Sequence, residues 1–191
     1  MTKAQGGISI EVEAAHRPGG VTVTSVMQPL KDEHRELLPE IEFLREAGIL
    51  VEGASEHDVL RAVDDAHTFL VHHLIPHAIA EDRVLYPIVE RVMGAPGATA
   101  TMSRDHVEVA KFTEELGTLK DKIALSGVTE NDLTALQRVL FGLYGIVKLH
   151  FDKEEEIYVP ILDKGLSQAE ATAMFEAMEA AAGEARAAAH A

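Results

Sequence analysis

From Pro29 onward, apolar side chains recur at threes and fours, the period of helices that bury one face. The breaks between these stretches carry helix punctuation. A first helix is predicted from about Pro29 to Ala47, stopped by Gly48. A second starts behind Ser55, with Asp58 as its capping partner, and fades near Gly94. A third covers roughly Thr101 to Leu125 and ends at Ser126-Gly127. A fourth begins behind Thr129, with Asp132 three residues on, and ends near Gly165. A fifth follows the capping box of Ser167 and Glu170 into an Ala-rich tail. Short linkers between long helices imply antiparallel neighbours. The expected fold is all-α: an up-down antiparallel four-helix bundle over residues 29–165, followed by a C-terminal helix over 166–191. Residues 1–28 read as an extension, either a short hairpin turning at Arg17-Pro-Gly-Gly20 or a disordered arm, because two strands alone are marginal.

The chain also repeats itself. The apolar seam of the second helix is Leu60, Val63, His67, Leu70, Leu74, His77, Glu81, Val84 and Ile88. That of the fourth is Leu133, Leu136, Leu140, Leu143, Val147, His150, Glu154, Ile157 and Ile161, every position displaced by 73 residues. Pro87 and Pro160 keep the same offset. His34 and His106, on the preceding helices, are 72 apart. The sequence is therefore two helical hairpins, each with one His on its first helix and a His-x-x-x-Glu on its second.

Residues four apart on a helix lie above one another, so His77 with Glu81, and His150 with Glu154, each present an imidazole and a carboxylate together. Both pairs interrupt an aliphatic seam, where unpartnered polar groups would cost several kcal/mol. With His34 and His106 added, four imidazoles and two carboxylates converge on the bundle axis. A lone His on such a seam is more often a hydrogen-bonded core residue than a metal ligand. Six residues repeated in register point to a metal site.

Composition narrows the chemistry. The 191-residue chain has no Cys, so thiolate zinc sites, Cys-ligated iron–sulfur clusters and disulfides are excluded, and any metal must sit on His, Asp, Glu or Tyr. Imidazole with carboxylate, without sulfur, suits iron, manganese or zinc, and two potential bridges suit a pair of ions. With 17 basic against 32 acidic residues the formal charge is −15, which makes nucleic acid a poor partner. The opening residues lack a basic stretch followed by an apolar run, and no apolar run is long enough to span a membrane. The expectation is a soluble cytoplasmic protein with no membrane partner.

The residues resemble the hemerythrin-like, or HHE cation-binding, family. The resemblance rests on His34 in Asp32-Glu-His-Arg-Glu-Leu-Leu-Pro39, His77-Ala-Ile-Ala-Glu81 ahead of Leu85-Tyr-Pro87, His106 in Arg104-Asp-His-Val, and His150-Phe-Asp-Lys-Glu154 ahead of Tyr158-Val-Pro160. It implies a four-helix bundle with two non-haem iron ions, oxo- or hydroxo-bridged. On that resemblance Glu81 and Glu154 would bridge them, His34 and His77 would hold one, and His106 and His150 the other. The implied ligands are dioxygen, hydrogen peroxide or nitric oxide, with peroxidase or catalase-like turnover as one outcome; iron or oxygen sensing or iron buffering without turnover is the alternative. A ferritin-like oxidase is disfavoured, because its Glu-x-x-His pattern occurs only at Glu13 to His16, outside the bundle.

The chain departs from the oxygen-carrying members. Where they carry a second His one turn after the third-helix ligand, this chain has Ala110, and where they use His followed five residues later by Asp it has His150-x-x-x-Glu154. His73 is a candidate replacement, weighed against a role behind the ligands or at the surface, because Pro76 should kink or loosen the helix between it and His77. Tyr158 continues the Glu154 face and either donates to the centre, ligates iron, or serves as a core aromatic with its hydroxyl at the edge, the last being the favoured reading. Tyr86 and Tyr144 read as packing residues, His67 as a core or polar contact deeper in the bundle, and Asp82, Glu155 and Glu156 as solvated faces. The fifth helix reads as a cover across the bundle or a dimer contact.

Overall fold

The computed structural model describes residues 25–189, and among them no strand occurs. The expected hairpin or arm lies, through residue 24, outside the described residues. Helix α1 is Gln28–Leu50. The rod α2 covers 56–93, with α-helical stretches Glu56–Phe69, Ile75–Ala80 and Tyr86–Met93 joined by π-helical turns at Leu70–Leu74 and Glu81–Leu85. Helix α3 is Ala100–Ser126. The rod α4 covers 130–165, with one π turn at Glu154–Tyr158 between Glu130–Lys153 and Val159–Gly165. Helix α5 is Gln168–Ala189. The first four rods form a ring in which α1 packs on α2 and α4, and α3 on α2 and α4; α5 lies across the middle of α2.

The caps form where the sequence places them. Ser55 accepts from the Asp58 N–H, Ser167 and Glu170 cap each other, and Thr129 with Asp132 completes a reciprocal capping box. Thr129→Ala is expected to cost about 1 kcal/mol, read as a lower urea midpoint with an unchanged m value. Gly48 does not end α1. The helix continues to Leu50, and the Phe141 ring lies 2.8 Å from where a Gly48 Cβ would stand, so this glycine admits an aromatic from α4 rather than breaking the helix.

All three π turns end just before a proline. The N–H of Ile75 bonds Leu70 O, that of Tyr86 bonds Glu81 O, and that of Val159 bonds Glu154 O, immediately ahead of Pro76, Pro87 and Pro160. A proline ring cannot donate and clashes with the carbonyl four residues back, and a wider i→i−5 turn relieves both problems. Each π turn adds a residue, so the buried face slips by one beyond it. Val84 and Ile88, predicted for the seam, are only partly buried, and Ile157 is 49% exposed. Leu85, Val89, Tyr158 and Leu162 are buried instead.

Two aliphatic clusters result. One fills the bundle beyond the polar centre with Leu44, Val63, Leu70, Leu116, Ile123, Leu136 and Leu140. The other joins Leu85, Val89, Met102 and Leu162 to Ala171, Met174 and Met178 of α5, which gives α5 the covering role. No helix of the described residues is long and apolar enough to cross a membrane.

Candidate metal centre

Between these clusters His34, His77, His150, Glu81 and Glu154 are buried, both glutamates completely, and His106 is nearly so. Two groups could each grip a cation: His34, His77, Glu81 and Glu154, and Glu81, His106 and His150. The carboxylates span both groups. Glu81 Oε1 lies 2.8 Å from His77 Nε2 and 3.8 Å from His34 Nε2, while its Oε2 lies 3.2 Å from His106 Nε2 and 3.7 Å from His150 Nε2. Glu154 divides in the same way, with Oε2 3.3 Å from His34 Nε2 and Oε1 3.6 Å from His150 Nε2. The structure thus brings together all six residues of the repeated pattern.

Each imidazole is held from behind by an acid on a neighbouring rod. His34 Nδ1 is 2.9 Å from Glu155, His77 Nδ1 3.0 Å from Glu33, His106 Nδ1 2.9 Å from Asp82, and His150 Nδ1 3.2 Å from Asp105. The four pairs obey the repeat, since Glu33 and Asp105 precede a His while Asp82 and Glu155 follow a Glu. Asp82 and Glu155 are therefore not merely solvated faces. An Nδ1–H given to a carboxylate fixes the ring and turns the Nε2 lone pair inward, the arrangement that raises the basicity of a metal-binding imidazole. Asp82→Ala is expected to weaken metal binding about 10–100-fold in a chelator competition without unfolding the protein; unchanged affinity would mean that packing alone orients His106.

The inner atoms fit cations. His34 Nε2, His77 Nε2, both Glu81 oxygens and Glu154 Oε2 are buried without an aligned hydrogen bond, and the set is nitrogen and oxygen only. Without metal, protons fill in. Burial would strip the imidazoles of protons, but Glu154 and Glu81 outweigh it and push His34 up to about 9 and His150 up to about 10. His77 is raised against burial by Glu81 and Glu33, and His106 by Asp82 and Glu81. Burial works to raise Glu81 also, and His77 with the other three imidazoles holds it well below the carboxylate range.

The further candidates fall elsewhere. His73 is exposed, stacked near Phe69 with ring centroids 6.3 Å apart, in a groove shared with Glu36, Glu40 and Asp65. The π turn at Leu70–Leu74 explains this, because the four-residue step to His77 no longer follows one face. The Tyr158 hydroxyl donates to Ala98 O at 3.3 Å, so Tyr158 is a core aromatic with its hydroxyl at the edge. Ala110 lines an outer groove with Val71, Ile75 and Thr113, and a His there would enter that groove. Val109 instead faces the centre, where Leu74, Ala78, Val109, Val147 and Phe151 line an apolar void of about 10 Å³ beside His77, Glu81, His106 and His150.

One residue at the centre was not anticipated. Tyr86, read as packing, directs its hydroxyl to Glu154 Oε1 at 2.9 Å, with His150 Nε2 at 3.0 Å and His106 Nε2 at 3.4 Å. It stands five residues after Glu81. In a π turn the fifth residue, not the fourth, returns to the same face, and Pro87 right behind it was the available signal.

A helical bundle with a buried centre built from two His pairs and two shared carboxylates defines a cation-binding helical protein. The chain belongs to the hemerythrin HHE cation binding domain family, whose pattern matches residues 26–162. It is also 28% identical over 103 residues to the "Iron-sulfur cluster repair protein YtfE" of Musicola paradisiaca (strain Ech703), a match covering 51% of this chain and 45% of that protein. No solved structure matches the chain. The family and the buried His/Glu cluster fit iron binding.

Proposed function

We propose that this chain is a non-haem di-iron protein that binds or reacts with dioxygen, hydrogen peroxide or nitric oxide. His34 and His77 would hold one ion, His106 and His150 the other, and Glu81 and Glu154 both. The observation that carries this reading is the division of each carboxylate's two oxygens between the two His pairs. When bound, two adjacent irons supply the electrons needed to reduce a small oxidant. The chain's own residues set the conditions. Glu33, Asp82, Asp105 and Glu155 fix the imidazoles, Leu74, Val109, Val147 and Phe151 limit water, and the void of about 10 Å³ has room for no more than about one water-sized molecule, which leaves no place for a bulky organic substrate beside the centre.

Metal analysis with an optical spectrum of the purified protein, before and after peroxide and nitric oxide, tests the proposal. Two irons per chain and near-ultraviolet absorption that changes with either reagent are expected; colourless zinc-loaded protein would overturn it. The name of the YtfE relative favours a stress- or repair-related use of the same centre. With no Cys this chain could not ligate an iron–sulfur cluster through thiolates, so such a role would concern iron delivery or protection. Recovery of a damaged iron–sulfur enzyme by the loaded protein, and not by ferrous salt alone, would support it.

A further inference from the structure

The polar centre has a near twofold symmetry, and Tyr86 breaks it. Its counterpart by the 73-residue offset is Val159, which is buried and carries no polar atom in its side chain. The Tyr86 phenol is largely buried, on the side of the centre that holds His106 and His150. We infer that the Tyr86 oxygen is an additional protein ligand of the cation held by His106 and His150, which makes the two ions chemically inequivalent. The inference rests on the di-iron reading above.

Donor spacing carries it. Two ligand atoms at right angles on an ion about 2.1 Å away stand about 3 Å apart. The Tyr86 oxygen is 3.0 Å from His150 Nε2, 3.4 Å from His106 Nε2 and 2.9 Å from Glu154 Oε1. The other edges of that group run from 3.1 Å between the two Nε2 atoms and 3.2 Å from His106 Nε2 to Glu81 Oε2 up to 3.6 Å from His150 Nε2 to Glu154 Oε1 and 3.7 Å to Glu81 Oε2. The phenol oxygen thus occupies a corner of the same donor set. In the structure its proton goes to Glu154 Oε1. On ligation the O–H bond is exchanged for an oxygen–metal bond and the proton leaves to solvent, with no change of oxidation state. Ferric iron, a hard cation, favours a phenolate oxygen, and an ion's own charge overrides the local preference of a buried phenol for its proton.

Two consequences separate this role from packing. Around His34 and His77 no tyrosine takes the equivalent place, since Tyr158 bonds Ala98 and Tyr144 reaches Glu42. The ion on that side would therefore keep more open coordination. Second, the ferric protein would carry a tyrosinate-to-iron charge-transfer band in the visible region.

The chain has three tyrosines, which makes the assignment clean. The ferric-loaded protein is examined by visible absorption and resonance Raman spectroscopy, with iron counted in the same sample. Two irons, a visible band and enhanced phenolate ring modes are expected. These signals should persist in the double variant Tyr144→Phe/Tyr158→Phe, where Tyr86 is the sole tyrosine, and vanish in Tyr86→Phe. If Tyr86→Phe fails to fold, the double variant with ring-deuterated tyrosine gives the same answer through shifted Raman modes. Two irons without phenolate modes, or modes lost in the double variant, would overturn the Tyr86 assignment and leave the di-iron reading standing. Absence of bound iron would overturn both.

Discussion

Glu81→Ala should strip the protein of iron and weaken the metal-free fold at once, the largest single effect expected of any side chain here. Glu81 is fully buried, and its two oxygens face four imidazoles from four different rods. Removing it takes one donor from each cation group. The loss in affinity should exceed the roughly 10–100-fold typical of deleting an acid behind a ligand, because here the donor itself goes. In the metal-free protein the same change leaves raised imidazoles facing each other without their shared counter-charge. Removal of one partner from a buried charged cluster costs about 3–5 kcal/mol. Iron content after reconstitution and a urea titration of the metal-free variant measure the two effects separately. Glu81→Gln keeps the volume and one carbonyl oxygen, so it should recover much of the stability and little of the iron. Retention of two irons by the alanine variant would remove Glu81 from the ligand set.

The contrast between what was legible in the chain and what was not follows from helix period. Caps such as Thr129/Asp132, the 73-residue repeat and the convergence of His34, His77, His106 and His150 could be read directly, because each depends on residue type at α-helical spacing. The slip from Ile157 to Tyr158 in the buried seam, the outward turn of His73 and the inward reach of Tyr86 could not. All three lie within or immediately beyond proline-induced π turns, where the period changes from under four residues to more than four. Pro76, Pro87 and Pro160 were visible, but a proline announces a disturbance without specifying whether the helix kinks or widens. The acids behind the imidazoles were hidden for another reason. Asp82 and Glu155 sit on half-exposed faces, where charged residues need no explanation, and only the neighbouring helix's Nδ1 gives them a task.

Removal of iron should leave a helical protein whose response to pH is reversed. The aliphatic clusters on either side of the centre, one around Leu116 and Leu140 and the other around Val89 and Met174, do not depend on the metal. Circular dichroism of the metal-free form should therefore retain its helical signal. Binding to the folded state alone contributes about 4 kcal/mol when free metal is a thousandfold above Kd, so chelation should lower Tm by roughly 10 °C. In the metal-free protein the imidazoles carry the raised values. A group whose folded value lies above its unfolded one stabilises at low pH, and that contribution fades as pH climbs from 6.5 through about 9 for His34 and about 10 for His150. For His34 alone the fade is on the order of 3 kcal/mol. Glu81 is held below its usual value, so its contribution is lost as pH falls under about 4.5. Metal-free stability should thus be greatest between these limits and decline into the alkaline range. The loaded protein should gain stability over the neutral interval, since rising pH removes the protons that compete with the cations. Thermal melts of both forms at several pH values decide the matter. Parallel profiles would show that the imidazoles do not exchange protons for metal, and collapse of the helical signal on chelation would make the metal the organiser of the fold, as an iron-sensing role requires.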